Sequence, residues 1–209
     1  MKVSIKNIVI TGDSLSYNRY GYDPIPRENA WDCIPYMGSW SFRLRDLLTE
    51  RGNNVALTGK GSTTASFLVE NFEERIGKFS PDIVVLTTGA NDRARISVDE
   101  YADSLNQLFT KINNIGCKKI IALSPPDSSN PADGNKDSLP VYISTKNSQA
   151  YSLALKRCCD KYDAQYFDTV SLFKDIPVEI WRFDNVHFTP YGNDLLYHTI
   201  TPLVLSQLR

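Results

Sequence analysis

The sequence lacks the features that mark several large classes of protein. No segment approaches the roughly 20 apolar residues of a transmembrane helix. The opening segment Met1–Lys6 is too short and too polar to predict a signal peptide. Neither sign of charge is in surplus, because 23 Lys and Arg residues stand against 24 Asp and Glu residues. That balance argues against a nucleic-acid partner and against membrane-surface binding. We therefore expect a cytoplasmic chain that does not insert into membranes.

Cysteine and histidine are scarce, and their spacing does not suggest a metal site. The chain has two histidines and four cysteines, which are Cys33, Cys117, Cys158 and Cys159. No pair of cysteines shows the C-x-x-C spacing of a zinc or thioredoxin-type site. We predict four reduced thiols and no metal or cofactor.

The sequence does contain a regular alternation of short apolar segments with segments of helical periodicity. The predicted strands cover residues 7–11, 54–57, 82–88, 119–123 and 164–167. The predicted helices cover residues 39–51, 64–79, 97–116, 144–162 and a last segment that begins at Thr189 and Pro190. Such alternation favours an α/β fold with three layers, α/β/α, around a five-stranded parallel sheet. We expect one domain over residues 1–209.

Ligands of such sheets bind beyond the carboxyl ends of the strands, so catalytic or binding residues are expected in the segments that follow the strands. Two of them, at about residues 16–38 and 125–141, are longer than ordinary connections and are expected to be functional. The first carries aromatic residues that either contact substrate or pack the loop onto the domain. The second is either a rim over the site or a solvated insertion. The segment 168–187 is expected to connect the last strand to the last helix.

A serine follows the first predicted strand directly, in the run Gly12, Asp13 and Ser14. The glycine permits a sharp turn, which would expose the serine at the ligand-binding edge and direct backbone N–H groups at a developing anion. The alternative is a simple cap of the strand end by Asp13 or Ser14.

The two histidines have different surroundings in the sequence. His187 lies three residues after Asp184, and on a tight turn this carboxylate would reach the ring N–H and fix the tautomer. The alternative is a hydrogen bond that only stabilises a loop. His198 lies inside the last helical segment and is expected to be a packed or surface residue.

Two further turns carry groups that can donate hydrogen bonds to an oxyanion. After the second strand, Gly61 stands just before a helix, although Gly59 in the same loop is also a candidate. After the third strand, the Asn91 side chain can donate its amide N–H, or it can form an Asx-turn. Arg93 and Arg95 follow, and they would meet either an anionic substrate group or a surface ion-pair partner.

Together these motifs resemble the SGNH or GDSL hydrolase family over most of the chain, from Gly12 to His187. The matching blocks are Gly12-Asp13-Ser14-Leu15, Gly89-Ala90-Asn91-Asp92 and Asp184-x-x-His187. The resemblance implies the flavodoxin-like SGNH hydrolase fold. It also implies a serine esterase in which Ser14 attacks the ester, His187 acts as the base and Asp184 orients that histidine. The N–H groups of Ser14 and Gly61 and the side chain of Asn91 would hold the oxyanion.

The substrate expected on this basis is a carboxylic ester with a small acyl group, best an acetyl ester of a carbohydrate or a small metabolite. Two alternatives remain open. An acyltransferase would use the same acyl-enzyme with an alcohol acceptor. A non-catalytic flavodoxin-like binding domain would use the polar turn residues only for capping and binding.

Overall fold

A computed structural model describes most of the chain around a central sheet. The described residues are 4–16, 38–117, 119–127, 145–182 and 187–208. Asp184, Cys33 and most of the two long loops lie outside these ranges, so the predictions made for them stay predictions.

The sheet has five strands, all parallel, as the alternating sequence pattern predicted. They are β1 (Asn7–Gly12), β2 (Asn54–Leu57), β3 (Ile83–Thr87), β4 (Lys119–Leu123) and β5 (Gln165–Phe167). Their order across the sheet is β2-β1-β3-β4-β5. Because β1 and β3 are neighbours near the middle of the sheet, the turns that follow them emerge side by side at its carboxyl edge.

Eight α-helices are described. They are α1 (Trp40–Glu50), α2 (Ala65–Glu70), α3 (Phe72–Arg75), α4 (Val98–Asn114), α5 (Thr145–Lys161), α6 (Thr169–Phe173), α7 (Val178–Trp181) and α8 (Pro190–Ser206). A capping box between Ser97 and Glu100 begins α4. The Thr189 hydroxyl accepts from the Gly192 N–H at the start of α8, where the sequence predicts that the last helix begins. No helix within these ranges is long and apolar enough to cross a membrane.

Successive strand residues enter two separate cores, because side chains alternate between the faces of a sheet. Val9 and Val84 pack under α2 to α5, whereas Ile8, Ile10 and Ile83 pack under α1 and α6 to α8. The predicted three-layer α/β/α architecture is therefore confirmed.

The helix predicted over residues 64–79 is wrong as a continuous element. It is divided into α2, α3 and a short 3-10 turn at Gly77–Phe79. The Asn71 side chain donates to the Phe67 carbonyl at 2.9 Å, and the Thr58 hydroxyl donates to the Arg75 carbonyl at 2.7 Å. The Phe67 carbonyl still accepts its helical bond from the Asn71 N–H. The Arg75 carbonyl, in contrast, accepts from Thr58, and the Phe79 N–H donates to Ile76 instead of continuing the helix.

The sequence pattern predicts no helix in the segment 168–187, but the structure has the short helices α6 and α7 there. Asp168 caps α6 by accepting from the Ser171 N–H at 3.1 Å. Phe173 and Trp181 stack with ring centroids 4.4 Å apart, and both rings contact Phe188. This aromatic cluster packs the chain beside His187 onto the sheet.

The three described cysteines, Cys117, Cys158 and Cys159, are free and buried. Burial raises the pKa of the Cys158 and Cys159 thiols to about 12 each, so neither is a thiolate at neutral pH. In the part of the chain that the structure covers, no three His, Cys, Asp or Glu side chains are grouped to hold a metal ion.

Candidate active site

The turn that carries Ser14 begins where β1 meets β3. Gly12 has a φ of +133°, and a Cβ at this position would lie 1.9 Å from the carbonyl oxygen of Thr87. Only glycine therefore allows the end of β1 to lie this close to β3. Ser14 is half-buried, between buried Asp13 and buried Leu15.

Asp13 holds this turn from inside the protein. Its Oδ1 accepts hydrogen bonds from the Leu15 N–H at 2.9 Å and from the Thr87 hydroxyl at 3.2 Å. Burial raises the pKa of this carboxyl above its usual value, although both hydrogen bonds oppose that shift. Asp13 thus fixes the backbone on both sides of Ser14.

The structure brings Ser14 and His187 together from opposite ends of the chain. The Oγ of Ser14 and the Nε2 of His187 are 2.9 Å apart, across a sequence separation of 173 residues. A hydroxyl in hydrogen-bond contact with an imidazole is the arrangement in which serine can lose its proton to a base as it attacks. This contact is the central geometric feature of the site.

The other histidine lies elsewhere. The side chain of His198 is 66% exposed on α8, and its Nε2 lies 3.4 Å from Asp194. This agrees with the expectation of a packed or surface helix residue. Asp184, the predicted partner of His187, is outside the described residues.

The loop after β2 packs against the start of the Ser14 turn. The Thr58 N–H donates to Ile10 and the Lys60 N–H donates to Gly12, each at 2.9 Å, so the intervening Gly59 N–H points away from β1. The chain turns at Gly61, where an added Cβ would meet no atom within 4 Å. Gly61 therefore borders open space on the path from β2 toward α2.

Asn91 joins this loop to the turn after β3. Its Nδ2 donates to the Thr63 carbonyl at 3.0 Å, and its side chain does not cap the turn that follows. One N–H of the primary amide is used in this bond, which leaves the second available for another acceptor. The half-buried Asn91 amide is thereby oriented by the same loop that carries Gly61.

The two arginines after Asn91 have separate structural partners. The Arg95 guanidinium donates to the Ser62 carbonyl at 2.6 Å, and Ser62 has the left-handed φ of +61°. Arg93 is buried and donates to the Pro126 carbonyl and to the Ser148 hydroxyl, and burial lowers its pKa to about 10. Among the described residues, both arginines thus donate to backbone carbonyls, and buried Arg93 also donates to a hydroxyl and stabilises the interior.

Asp92 is a site residue to which sequence reasoning assigned no role, although it lies in the quoted Gly89-Ala90-Asn91-Asp92 block. Its Oδ1 accepts from the Ala65 N–H at 2.8 Å, and its Oδ2 accepts from the Gly89 N–H at 3.0 Å. The carboxyl thus ties the start of α2 to the turn that carries Asn91. Its pKa is raised from 3.8 to about 6, mainly by burial, with a further contribution from the charge of nearby Asp13.

The raised pKa of Asp92 predicts a pH-dependent effect on stability. Because the folded-state value of about 6 lies above the ordinary 3.8, the native state binds this proton more tightly than the unfolded chain does. The resulting stabilisation is complete below about pH 4 and is lost as the pH rises through about 6. Asp92→Asn lacks this titration, so its stability relative to wild type should improve by roughly 2.5 kcal/mol between pH 4 and pH 7. Urea unfolding of both proteins across this range measures the difference, and parallel curves would contradict the prediction.

The chain is similar to known proteins both in sequence and in structure. The model of the GDSL-like lipase/acylhydrolase family matches residues 10–195. An acetylxylan esterase from Geobacillus stearothermophilus superposes with a TM-score of 0.72 at 20% identity, covering 100% of this chain and 96% of that chain. An alpha/beta hydrolase from the metagenome of Lake Arreo, Spain, superposes with a TM-score of 0.71 at 16% identity, covering 97% and 94%. Matching structures of the Geobacillus esterase include catalytic mutants at a serine, an aspartate and a histidine. No curated protein matches the chain.

The structural matches, at 20% identity or less, confirm the fold that the resemblance implied. The family match extends over most of the chain and includes Ser14, Gly61, Asn91 and His187. It argues against the alternative of a non-catalytic binding domain. The chain belongs to the GDSL-like lipase/acylhydrolase family and is a hydrolase of ester bonds.

Proposed function

We propose that the protein is a serine esterase that forms an acyl-enzyme on Ser14 and removes a small acyl group, acetyl, from a carbohydrate or small-metabolite ester. The observation that carries this proposal is the distance of 2.9 Å between the Ser14 Oγ and the His187 Nε2. An isolated serine hydroxyl is a weak nucleophile at neutral pH, and contact with a base supplies the activation it needs.

In the first half of the reaction, the Ser14 Oγ attacks the ester carbonyl while its proton passes to the His187 Nε2. The tetrahedral intermediate then breaks its bond to the alcohol, and the imidazolium returns the proton to the leaving oxygen. In the second half, His187 takes a proton from water as the water oxygen attacks the acyl carbon. The second tetrahedral intermediate then breaks its bond to the Ser14 Oγ, the imidazolium returns the proton to that oxygen, and the carboxylic acid leaves. We assign Asp184 the role of holding the imidazole in the tautomer that presents Nε2 to Ser14.

The oxyanion of each tetrahedral intermediate needs hydrogen-bond donors that are already in place. We assign this role to the N–H groups of Ser14 and Gly61 and to the free N–H of the Asn91 amide. The bond from Asn91 to Thr63 supports this assignment, because it holds the amide without using both of its hydrogens. We choose Gly61 over Gly59 because the chain turns at Gly61 beside open space, whereas Gly59 lies between two residues whose N–H groups bond to β1 and its turn. Each such donor contributes roughly 2.7–4 kcal/mol to transition-state stabilisation in related chemistry.

The substrate class is supported by the fold comparison. The Geobacillus protein is an acetylxylan esterase, and its catalytic aspartate and histidine mutations lie three positions apart, as Asp184 and His187 do here. The same spacing suits an aspartate that reaches the histidine across one tight turn. A deacetylase acting on an oligosaccharide is therefore the specific form of esterase that we propose.

The acyl preference tests this proposal. We expect kcat/KM to be highest for p-nitrophenyl acetate and to fall by about 10-fold or more for the octanoate, since a small-acyl site excludes a long chain. Acetate release from acetylated xylo-oligosaccharides, measured by enzymatic assay, should occur with wild type and be absent with Ser14→Ala. A preference for octanoate would contradict the small-acyl assignment, and acetyl transfer to an added alcohol in place of hydrolysis would indicate the acyltransferase.

A further inference from the structure

A single buried amide connects the segment that carries Ser14 to the segment that carries His187. Asn193, in the first turn of α8, is 0% exposed and makes side-chain hydrogen bonds in two directions. We propose that Asn193 is a positioning residue that sets the separation between the nucleophile and its base. This inference rests on the proposed function, because it concerns the geometry of the same pair.

Toward the nucleophile, Asn193 acts through Trp40. The Asn193 Oδ1 accepts from the Trp40 backbone N–H at 3.1 Å, across a sequence separation of 153 residues. The Trp40 indole Nε1 in turn donates to the Leu15 carbonyl at 2.8 Å. Because Leu15 follows Ser14 directly, this bond fixes the exit of the nucleophile turn. Trp40 and Leu15 are both buried, so water does not compete for these bonds.

Toward the base, Asn193 acts on the backbone next to His187. Its Nδ2 donates to the Phe188 carbonyl at 3.3 Å and to the Thr189 carbonyl at 3.0 Å. Phe188 is buried in the aromatic cluster with Phe173 and Trp181. The backbone that follows His187 is therefore fixed to the same side chain that fixes Trp40.

The chemistry of the amide explains why asparagine suits this position. The connection needs one acceptor and two donors on a short side chain, and the primary amide of asparagine supplies that combination. Aspartate would accept from Trp40 but could not donate to the two carbonyls. Misplacing reacting groups by about 1 Å costs on the order of 100-fold in rate, so a connection that holds Ser14 and His187 in register affects kcat directly.

Asn53 provides a matched control for a purely structural role. It is also buried, at 7% exposed, and its Nδ2 donates to the Leu48 carbonyl at 3.1 Å. Its Oδ1 accepts from the Lys6 N–H at 3.1 Å. These contacts lie at the amino ends of β1 and β2, at the edge of the sheet opposite Ser14. Loss of this amide should lower stability without changing the site.

The experiment compares Asn193→Ala with Asn53→Ala, each assayed below its own melting temperature. Both variants should lose stability by similar amounts, measured as Tm. Asn193→Ala alone should lower kcat for p-nitrophenyl acetate by about 10- to 100-fold, with KM within about 2-fold, since the effect is on alignment of the reacting groups. Equal kcat values for the two variants would overturn the proposal.

Trp40→Phe tests the same connection from its other end, because it removes the indole N–H that donates to the Leu15 carbonyl. It should lower kcat, and its effect combined with Asn193→Ala should be smaller than the product of the separate effects, because both interrupt one connection. If Asn193→Ala does not fold, an unchanged kcat in Trp40→Phe overturns the inference. Ser14→Ala distinguishes failure of the proposed function from failure of the positioning role. A fully active Ser14→Ala contradicts the proposed function itself. An inactive Ser14→Ala together with an unaffected Asn193→Ala contradicts only the positioning role.

Discussion

Ser14→Ala is expected to lower kcat for p-nitrophenyl acetate by about 10⁴- to 10⁶-fold, which is the size of effect that removal of a serine nucleophile has in hydrolases. The reason is the loss of the only atom that can form the acyl-enzyme in the proposed mechanism. The fold should be retained, because the Ser14 side chain is half-buried and the backbone of its turn is held by Asp13 and Trp40. Steady-state kinetics and circular dichroism measure the two effects separately.

A serine-directed fluorophosphonate provides an independent measurement of the same prediction. Wild type should be labelled at Ser14, and Ser14→Ala should not be labelled. Ser16 is the matched control, because it lies two residues along the same turn but its buried hydroxyl donates to the Asp13 carbonyl at 2.8 Å. Ser16→Ala should therefore still be labelled. Equal labelling of wild type and Ser14→Ala would show that the nucleophile lies elsewhere.

His187→Ala is the second large effect, with an expected loss of about 10⁴- to 10⁶-fold in kcat. Without the imidazole, Ser14 has no partner at 2.9 Å to take its proton, and the leaving alcohol has no acid. Rapid mixing with p-nitrophenyl acetate should show that acylation itself is slowed. Thermal unfolding should show a folded protein, since the neighbouring Phe188 and Asn193 keep their contacts.

His198→Ala is the control for this histidine, because its side chain is 66% exposed and its Nε2 lies 3.4 Å from Asp194 on the same helix. Its loss should leave kcat within about 2-fold of wild type, and Tm should change little because the contact with Asp194 is exposed. A larger loss of activity in His198→Ala than in His187→Ala would mean that the wrong histidine has been assigned.

Local patterns in the sequence predicted the elements of the fold that depend on local physics. The alternation of apolar strands with helical segments and the start of the last helix at Thr189 and Pro190 correspond to described elements. The glycine before Asp13 and Ser14 likewise predicted a sharp turn at the end of β1. Such features are readable because neighbouring residues determine them through sterics and short-range hydrogen bonds.

Contacts between segments that are distant in the sequence determined features of the fold that local sequence patterns could not predict. Thr58, a loop residue, helps to interrupt the helix predicted over residues 64–79, and the Ala65 N–H gives Asp92 a role that its own neighbours do not indicate. From the sequence alone, Asn193 is an ordinary polar residue in the first turn of a predicted helix, and nothing near it indicates its contacts.

The sequence by itself determined which candidate site residues the chain carries. It also determined which strands the described site residues follow. Only the tertiary structure decided that the Ser14 hydroxyl and the His187 imidazole lie 2.9 Å apart and that Asn193 links their supporting segments. The physical reason is that parallel strands gather the turns from distant parts of the chain at one edge of the sheet. The distances between those turns depend on packing and on buried hydrogen bonds, which no single segment encodes.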